Sequence, residues 1–162
     1  MNYHSSDIDA SAVAFLSKSV DIFVTDWIWV SKQRNKGNLV SFYPYSNSAG
    51  GLMIKKGEKI DSFLDLKNKK IGVAGGSLDK SWLFLRAYAI KKYKKDPLTF
   101  FNTSFAAPPL INGLLRNNQL DAGYNYWNYT ARLEALGYEE FLTLKDILPY
   151  IGIEGELPLI GY

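Results

Sequence analysis

The chain has 162 residues, 47% of them hydrophobic, and carries a formal net charge of +3. A chain of this length makes one domain or two small lobes, and its apolar content is sufficient for a packed core. Because the net charge is small, nucleic-acid binding is not expected. Because the chain has no cysteine, disulfides, thiolate metal sites and cysteine nucleophiles are excluded.

The first residues of the chain provide no catalytic or metal-binding group. Residues 1–9 are predicted to be disordered, and they contain His4, the only histidine. One histidine can supply neither a catalytic triad nor a histidine-rich metal site, so we expect no metal and no cofactor. Residues 1–19 also lack the charged start and apolar core of a signal peptide, so a leader would have been removed or would lie outside this chain.

Helices and strands are predicted to alternate in the first third of the chain. Apolar residues at helical spacing predict a helix around residues 10–14, and residues 21–25 predict a buried strand that ends at Asp26-Trp27. A second helix is predicted over residues 28–33 and a second strand over residues 39–43.

Residues 70–82 are the most informative stretch, because an apolar strand runs into Gly75-Gly76 and then into a long helix. Glycines permit backbone angles closed to other residues, and the start of a helix offers unpaired N–H groups with a partial positive charge. The turn has neither the spacing of a dinucleotide fingerprint nor the Gly-Lys-Ser/Thr ending of a nucleoside-triphosphate loop. We therefore expect a small polar or anionic ligand, and a plain strand-to-helix connection is the alternative.

The second half of the chain continues the alternation. The helix after Gly76 carries an apolar stripe that begins at Trp82, which we expect in the core, and Pro108-Pro109 suits the first turn of another helix. The remaining patterns predict an extended run at 52–54, a short helix at 63–66 capped by Ser62, strands at 98–103, 121–126 and 140–143, and a helix at 127–136. Strands that alternate with helices indicate a parallel or mixed α/β sheet.

One pattern occurs twice in the chain. The interval from Asp21 through a predicted strand to Trp27 equals the interval from Asp121 through a predicted strand to Trp127. We interpret this as one helix–strand unit used once in each of two lobes, so that both tryptophans follow the carboxyl ends of parallel strands, where α/β sheets bind ligands. Coincidence in a chain with 15% aromatic residues is the alternative.

Several segments of the chain occur together in one known family. They are Thr25-Asp26-Trp27-Ile28-Trp29-Val30, Pro44-Tyr45-Ser46, Leu64-Asp65-Leu66-Lys67-Asn68-Lys69-Lys70-Ile71-Gly72-Val73, Gly75-Gly76, Ala107-Pro108-Pro109-Leu110 and Leu120-Asp121-Ala122. The chain thereby resembles the substrate-binding proteins of ABC importers, in the branch that includes nitrate, sulfonate, taurine and thiamine-pyrimidine binders. The resemblance extends from about residue 10 to residue 162, and it is specific for the fold rather than for the ligand.

The resemblance implies an α/β, periplasmic-binding-protein-like (type II) fold, in which two lobes are linked by extended segments and trap a ligand when they close. Residues 1–54 would form a partial first lobe and residues 55–157 a complete second lobe. Residues 158–162 would begin the return crossover strand.

The resemblance also implies a set of ligand contacts. The candidates are Asp26, Trp27, Ser46, Asn47 and Ser48 in the first lobe, and Gly76, Ser77, Asp79, Asn125 and Trp127 in the second. Backbone N–H groups and hydroxyls would hold oxygens, and the indoles would cover an apolar or planar part of the ligand. The carboxylates of Asp26 and Asp79 would favour an aminosulfonate or a pyrimidine over nitrate, although Asp79 could instead only cap its helix.

The function implied by the resemblance is that of a non-catalytic solute receptor that delivers a small organic molecule to an ABC permease in the membrane. Such a protein is periplasmic or extracytoplasmic, and its ligand would be a sulfonate, a taurine-like compound or a pyrimidine-like compound. The alternative is an enzyme or ligand-sensing domain on the same fold, such as a relative of the thiamine-pyrimidine synthases. Catalysis would then depend on Asp26, Asp79 or tyrosines.

Overall fold

The computed structural model describes residues 8–47, 49–155, 157 and 159–162. His4, Ser48 and most of the segment 1–9 lie outside these residues. The chain divides into two compact units: unit 1 comprises Met1–Ser48 and Glu156–Tyr162, and unit 2 comprises Ala49–Gly155. The assignment of a partial and a complete lobe to these parts of the chain stays a prediction.

The described elements alternate between helices and strands along most of the chain. In chain order they are α1 (Ile8–Leu16), β1 (Thr25–Asp26), α2 (Trp27–Asn35), β2 (Pro44–Ser46), β3 (Gly51–Lys55), a 3-10 helix (Phe63–Leu66), β4 (Lys70–Ala74), α3 (Lys80–Tyr93), α4 (Pro97–Phe100), β5 (Asn102–Ala106), α5 (Pro108–Arg116), β6 (Ala122–Tyr124), α6 (Trp127–Glu134), β7 (Tyr138–Thr143), α7 (Leu144–Ile151) and β8 (Ile160–Gly161). The first helix thus begins inside the segment predicted to be disordered. None of the helices described here has the length and apolar character needed to cross a bilayer.

Unit 1 contains a small antiparallel sheet with the strand order β1-β8-β2. Thr25 lies opposite Gly161 on one side of β8, and Pro44 lies opposite the same glycine on the other side. The central strand of this sheet therefore comes from the last residues of the chain, whereas both outer strands come from its first third.

The two strands predicted from the sequence of unit 1 are misplaced. Residues 21–24 and 39–43 lie outside the strands β1 and β2. Several of their apolar side chains are exposed, among them Ile22 (60%) and Leu39 (99%). The reason is that their partner strand β8 has only two residues, and among residues 21–24 and 39–43 of the described chain only Tyr43 is paired next to it, through hydrogen bonds of 2.7 and 3.0 Å with Tyr162.

Unit 2 contains a mixed sheet of five strands in the order β5-β4-β6-β3-β7. β4 runs parallel to β5 and β6, whereas β3 runs antiparallel to β6 and β7. The prediction of a parallel or mixed α/β sheet is therefore confirmed.

Residues 98–103, predicted as one strand, are divided between the helix α4 and the strand β5. Asp96 accepts the backbone N–H of Leu98 at 3.1 Å, and Pro97 occupies the first helical position. Arg86 donates a 2.7 Å hydrogen bond to the same carboxylate. A helix start thus replaces the expected strand, because the cap and the proline outweigh the apolar pattern that follows them.

Helices cover both faces of the unit 2 sheet. One face packs on a buried cluster formed by Met53, Ala74, Ile111, Leu115 and Leu133. On this face a Cβ added to Gly123 would lie 3.0 Å from Ile111, so the glycine permits the close approach of α5. Trp82 of α3 is fully buried and meets the ring of Phe105 edge-on at 5.5 Å, which confirms its predicted place in the core.

Candidate functional site

The carboxyl ends of three parallel strands meet at one edge of the unit 2 sheet. Ala74 of β4 lies opposite Ala106 of β5, and Val73 of β4 lies opposite Tyr124 of β6. Each of these strands is followed by a helix, so α3, α5 and α6 all begin at this edge. Open α/β sheets bind ligands at such an edge, where helix N-termini favour anions.

This arrangement supports only one half of the prediction that rested on the repeated tryptophan pattern. Trp127 follows β6, which is parallel to β4. Trp27 follows β1, which pairs only with the antiparallel strand β8 in the described part of the chain. The prediction of a parallel strand before Trp27 is therefore wrong. The reason is that the partner of β1 comes from the distant C-terminal segment and not from a neighbouring strand–helix unit.

The turn between β4 and α3 contains two glycines with different roles. Gly75 has a φ of +81° and donates its N–H to the carbonyl of Ala106 at 3.0 Å, and a Cβ on it would lie 2.7 Å from the hydroxyl of Tyr126. A Cβ on Gly76 would meet no atom of the described chain within 4 Å. The fold therefore requires glycine at Gly75 but not at Gly76, which lies exposed beside the exposed Ser77.

Asp79 holds the start of α3. Its Oδ1 accepts the N–H of Ser81 at 2.9 Å, and its Oδ2 accepts the hydroxyl of Tyr126 at 3.0 Å. Both carboxylate oxygens are thus engaged inside the protein, which supports the helix-cap interpretation, while a ligand contact stays a prediction. The sequence does not reveal Tyr126 as part of this arrangement, because its partner lies 47 positions away.

Asn125 is a buried residue that positions two helix starts, and only 2% of it is exposed. Its Nδ2 donates to the carbonyl of Pro108 at 2.9 Å and to Oδ1 of Asn112 at 2.8 Å, and its Oδ1 accepts the N–H of Tyr126 at 2.8 Å. The side chain therefore ties α5 to the start of α6. Trp127 is 52% exposed and presents an indole surface at the start of α6.

The three helix starts differ in what they offer to an anion. α5 begins with Pro108-Pro109, and proline has no N–H group to donate. α3 is capped by Asp79, whose negative charge offsets the dipole of that helix. α6 begins at Trp127 without a side-chain cap in the described chain. The start of α6 is therefore the one of the three that has neither a carboxylate cap nor prolines in its first turn.

The unit 1 candidates Asp26 and Trp27 lie at the junction of β1 and α2. Asp26 is the N-cap of α2, and its Oδ1 accepts the N–H of Trp29 at 2.8 Å. Trp27 is half-buried, and its indole nitrogen is buried without a hydrogen-bond partner among the described residues. The first residue thus has a structural role, and the second has an indole N–H that the described protein does not use.

The other unit 1 candidates follow β2. Ser46 ends that strand, and its carbonyl accepts the N–H of Leu159 at 2.9 Å. Asn47 is exposed, and Ser48 lies outside the described residues. Ligand contacts by these residues stay predictions.

Tyr124 and Glu140 are among the unit 2 side chains whose pKa values are raised. Burial raises the pKa of Tyr124, and the charges of Asp79 and Glu140 raise it further. The hydroxyl of Tyr124 has no hydrogen-bond partner among the described residues. Burial also raises the pKa of Glu140, with further contributions from nearby acidic residues. In the described part of the chain, no three His, Cys, Asp or Glu side chains are grouped so that they could hold a metal ion.

Replacing Glu140 with glutamine is expected to stabilise the protein at neutral pH. Burial and the neighbouring Glu134 and Asp146 raise the pKa of Glu140. Because the folded pKa lies above the unfolded one, ionisation weakens the fold at neutral pH, and this penalty disappears as the pH falls through the folded pKa. The thermal unfolding midpoint of Glu140→Gln should exceed that of the wild type at neutral pH and approach it near about pH 4.

Glu139 provides the matched control for this experiment. Its side chain is 51% exposed, and its carboxylate lies 3.9 Å from the ammonium of Lys56. A surface ion pair of this kind contributes about 0–1 kcal/mol, so Glu139→Gln should give no gain in stability. Equal gains from the two variants would show that net charge, and not the burial of Glu140, determines the effect.

No protein-family model matches this sequence, and the comparison with curated proteins gives no significant match. Solved structures do match it. The periplasmic aliphatic sulphonate binding protein SsuA from Escherichia coli matches with a TM-score of 0.71 and 15% sequence identity, over 94% of this chain and 47% of that protein. A periplasmic sulfonate-binding protein SsuA from Methylobacillus flagellatus KT matches with a TM-score of 0.64 and 16% identity, over 95% of this chain and 45% of that one.

A third structure extends the comparison beyond sulfonate-binding proteins. An ancestral arginine-binding protein bound to glutamine matches with a TM-score of 0.58 and 20% identity, over 99% of this chain and 64% of that protein. This chain therefore spans less than two thirds of each of the three structures. At these low identities the likeness concerns architecture, and the chain has the α/β fold of periplasmic binding proteins.

Proposed function

We propose that this protein is the solute-binding component of an ABC importer and that the carboxyl edge of the unit 2 sheet is part of its ligand site. The observation that best supports this proposal is the meeting of the α3 and α6 starts at one strand edge, with Gly76, Ser77 and Trp127 exposed there. The partner of such a component would be a permease in the membrane. Its location would be periplasmic or extracytoplasmic.

For the ligand, we propose a small organic molecule with an anionic group, such as a sulfonate or a taurine-like compound, ahead of a pyrimidine-like one. The uncapped start of α6 favours an oxygen anion, and the indole of Trp127 would cover an apolar part beside it. Asp79 is already engaged by Ser81 and Tyr126, so its carboxylate does not demand a ligand amine. Two of the similar structures are named as sulfonate-binding proteins, which agrees with this choice.

For unit 1, the proposal of ligand contacts rests mainly on the family resemblance. It concerns Asp26, Trp27, Ser46, Asn47 and Ser48. Trp27 has the most support within this set, since its buried indole N–H has no partner among the described residues.

A thermal-shift screen of the full chain would test the proposed function. The compounds would be methanesulfonate, taurine, nitrate, glutamine and cytosine, each titrated over a wide concentration range. A ligand present at a hundred times its Kd raises the free energy of unfolding by about 2.7 kcal/mol. We expect a saturable rise in Tm with the sulfonates. If no compound acts and one is instead converted to product, the enzyme alternative gains support.

The variant Ser77→Glu would locate the ligand at the proposed edge. Ser77 is exposed, so the change leaves the packing intact while it adds a carboxylate next to the start of α3. An anionic ligand should then bind about tenfold more weakly or worse. Gln119→Glu is the matched control, because Gln119 is also exposed but precedes β6 at the opposite edge of the sheet. Equal losses in both variants would place the ligand elsewhere.

A further inference from the structure

Four exposed lysines are grouped at the end of α3 and directly after it, and we call them the lysine patch. In the described part of the chain, none of their ammonium groups forms an ion pair with a carboxylate. Asp96, the carboxylate nearest to them in the sequence, is instead held by Arg86 through hydrogen bonds of 3.1 and 2.7 Å. The members of the lysine patch are Lys91, Lys92, Lys94 and Lys95.

The dipole of α3 accounts for only a small part of this positive charge. The C-terminus of a helix carries about half an elementary negative charge, whereas each lysine of the patch carries a full positive one. One of the four, Lys94, donates from its ammonium to the backbone carbonyl of Lys91 at 3.2 Å, which neutralises no charge. The patch therefore keeps a surplus of positive charge that suits a negatively charged partner.

Tyrosine rings hold one lysine of the patch in place. The ammonium of Lys92 lies 4.3 Å from the ring centroid of Tyr150 and 5.2 Å from those of Tyr88 and Tyr93. The hydroxyl of Tyr88 accepts a 3.0 Å hydrogen bond from the same ammonium, and this bond raises the pKa of Lys92. Lys92 is therefore charged at neutral pH, and it places Tyr150 of α7 beside the lysine patch.

Exposed apolar and aromatic side chains accompany the lysine patch. Ile90 directly precedes it and is 45% exposed, and Leu98 follows it at the start of α4 and is 43% exposed. Tyr150, which lies under the ammonium of Lys92, is 47% exposed. A bilayer interface takes up such a mixture, because aliphatic groups enter the headgroup boundary while lysine and tyrosine keep their polar ends in water. The charge alone suits any polyanion, whereas this mixture favours a lipid surface.

We propose that the lysine patch binds the surface of a bilayer that contains anionic phospholipids. Clusters of about four to eight basic residues are typical of such binding, since each lysine near the surface is attracted by the negative lipids. The patch lies at the end of α3 and the proposed ligand edge at its start. The helix has 14 residues, so the two are separated by about 20 Å. A bilayer at the patch therefore leaves the ligand edge uncovered, and its binding does not require the proposed ligand.

Co-sedimentation of the full chain with lipid vesicles would test the proposal. One set of vesicles consists of phosphatidylcholine alone, and the other also contains phosphatidylglycerol at about a third of the lipid. We expect binding to the anionic vesicles at low ionic strength and little binding to the neutral ones. Binding should be lost at about 0.5 M salt, because salt screens the attraction between exposed charges.

A double variant, Lys91→Gln with Lys95→Gln, would locate the binding at the lysine patch. Both side chains are exposed and form no ion pair in the described chain, so their replacement should leave the fold intact. Each lost lysine should weaken vesicle binding about fivefold, so the double variant should bind about thirtyfold more weakly. The matched control is Lys32→Gln with Lys36→Gln, which removes the same charge from exposed positions at the end of α2 in unit 1.

Three results would overturn the proposal. The first is a chain that stays in solution with both kinds of vesicle at low ionic strength, or that binds both equally. The second is an equal loss of binding in the two double variants, which would show that net charge and not the lysine patch determines the effect. The third is tighter binding to poly-glutamate or to a single-stranded oligonucleotide, each supplied at the same concentration of negative charge as the vesicles. That result would assign the patch to an acidic polypeptide or a nucleic acid.

Discussion

Gly50→Ala is expected to destabilise unit 2 by about 3 kcal/mol or more, because the new methyl group has no room. A Cβ on Gly50 would overlap the carbonyl oxygen of Asn125 and would lie 2.7 Å from the carbonyl carbon of Tyr126. These are backbone atoms, which cannot turn aside as a flexible side chain can. The backbone N–H of Asn125 also donates to the carbonyl of Gly51 at 3.1 Å, so the start of β3 is held against this segment.

Chemical denaturation followed by far-ultraviolet circular dichroism would measure this loss, with Gly76→Ala as the matched control. A Cβ on Gly76 meets nothing within 4 Å in the described chain, so the same substitution there should change the free energy of unfolding by less than about 0.5 kcal/mol. Similar effects at the two positions would show that glycine flexibility, and not the close approach at Gly50, determines the outcome.

Asn125→Ala is expected to destabilise the protein by about 2–4 kcal/mol. The amide is 2% exposed and makes hydrogen bonds to the carbonyl of Pro108, to Asn112 and to the N–H of Tyr126. Its removal leaves buried polar groups without partners, and each such group costs about 1–3 kcal/mol before any water enters. Because these groups belong to α5 and to the start of α6, ligand affinity should also fall.

Two further variants sharpen the test of Asn125. Asn125→Asp keeps an acceptor for Tyr126 but places a carboxylate against the oxygens of Pro108 and Asn112, so it should not restore stability. Gln119→Ala removes an exposed amide and should stay within about 0.5 kcal/mol of the wild type. If Asn125→Ala unfolds at the same midpoint as the wild type, water replaces the hydrogen bonds of the amide without loss of stability, and the prediction is wrong.

Together these residues explain why the proposed site depends on a rigid edge. Gly50 brings β3 against the end of β6, and Asn125 joins that end to α5. Tyr126 then donates to Asp79 at the start of α3. The starts of α3 and α6 are therefore linked by the hydrogen bonds of adjacent residues, and Trp127 and Ser77 stand next to these links. A ligand at this edge would meet groups that are held in place before it arrives.

The sequence determined the parts of this protein whose signals are local. Gly75 with its positive φ, the Asp79 cap and the Pro108-Pro109 start each act within a few residues, and the structure has a turn or helix start at each. Local signals could also have revealed α7, because Thr143 and Asp146 form a capping box and the buried residues Leu144, Ile147 and Leu148 follow helical spacing.

Only the tertiary structure decided which groups find partners far along the chain. Strands β1 and β2 depend on β8, which comes from the last residues of the chain. The apolar patterns at 21–25 and 39–43 therefore could not show that the observed strands would be shorter than, or shifted from, the predicted ones. The bond between Tyr126 and Asp79 likewise spans 47 positions. The glycines Gly75 and Gly76 and the tryptophan Trp127 thus indicate the candidate edge in the sequence. The hydrogen bonds within that edge are determined by packing, because the partner of a side chain depends on which elements fold against it.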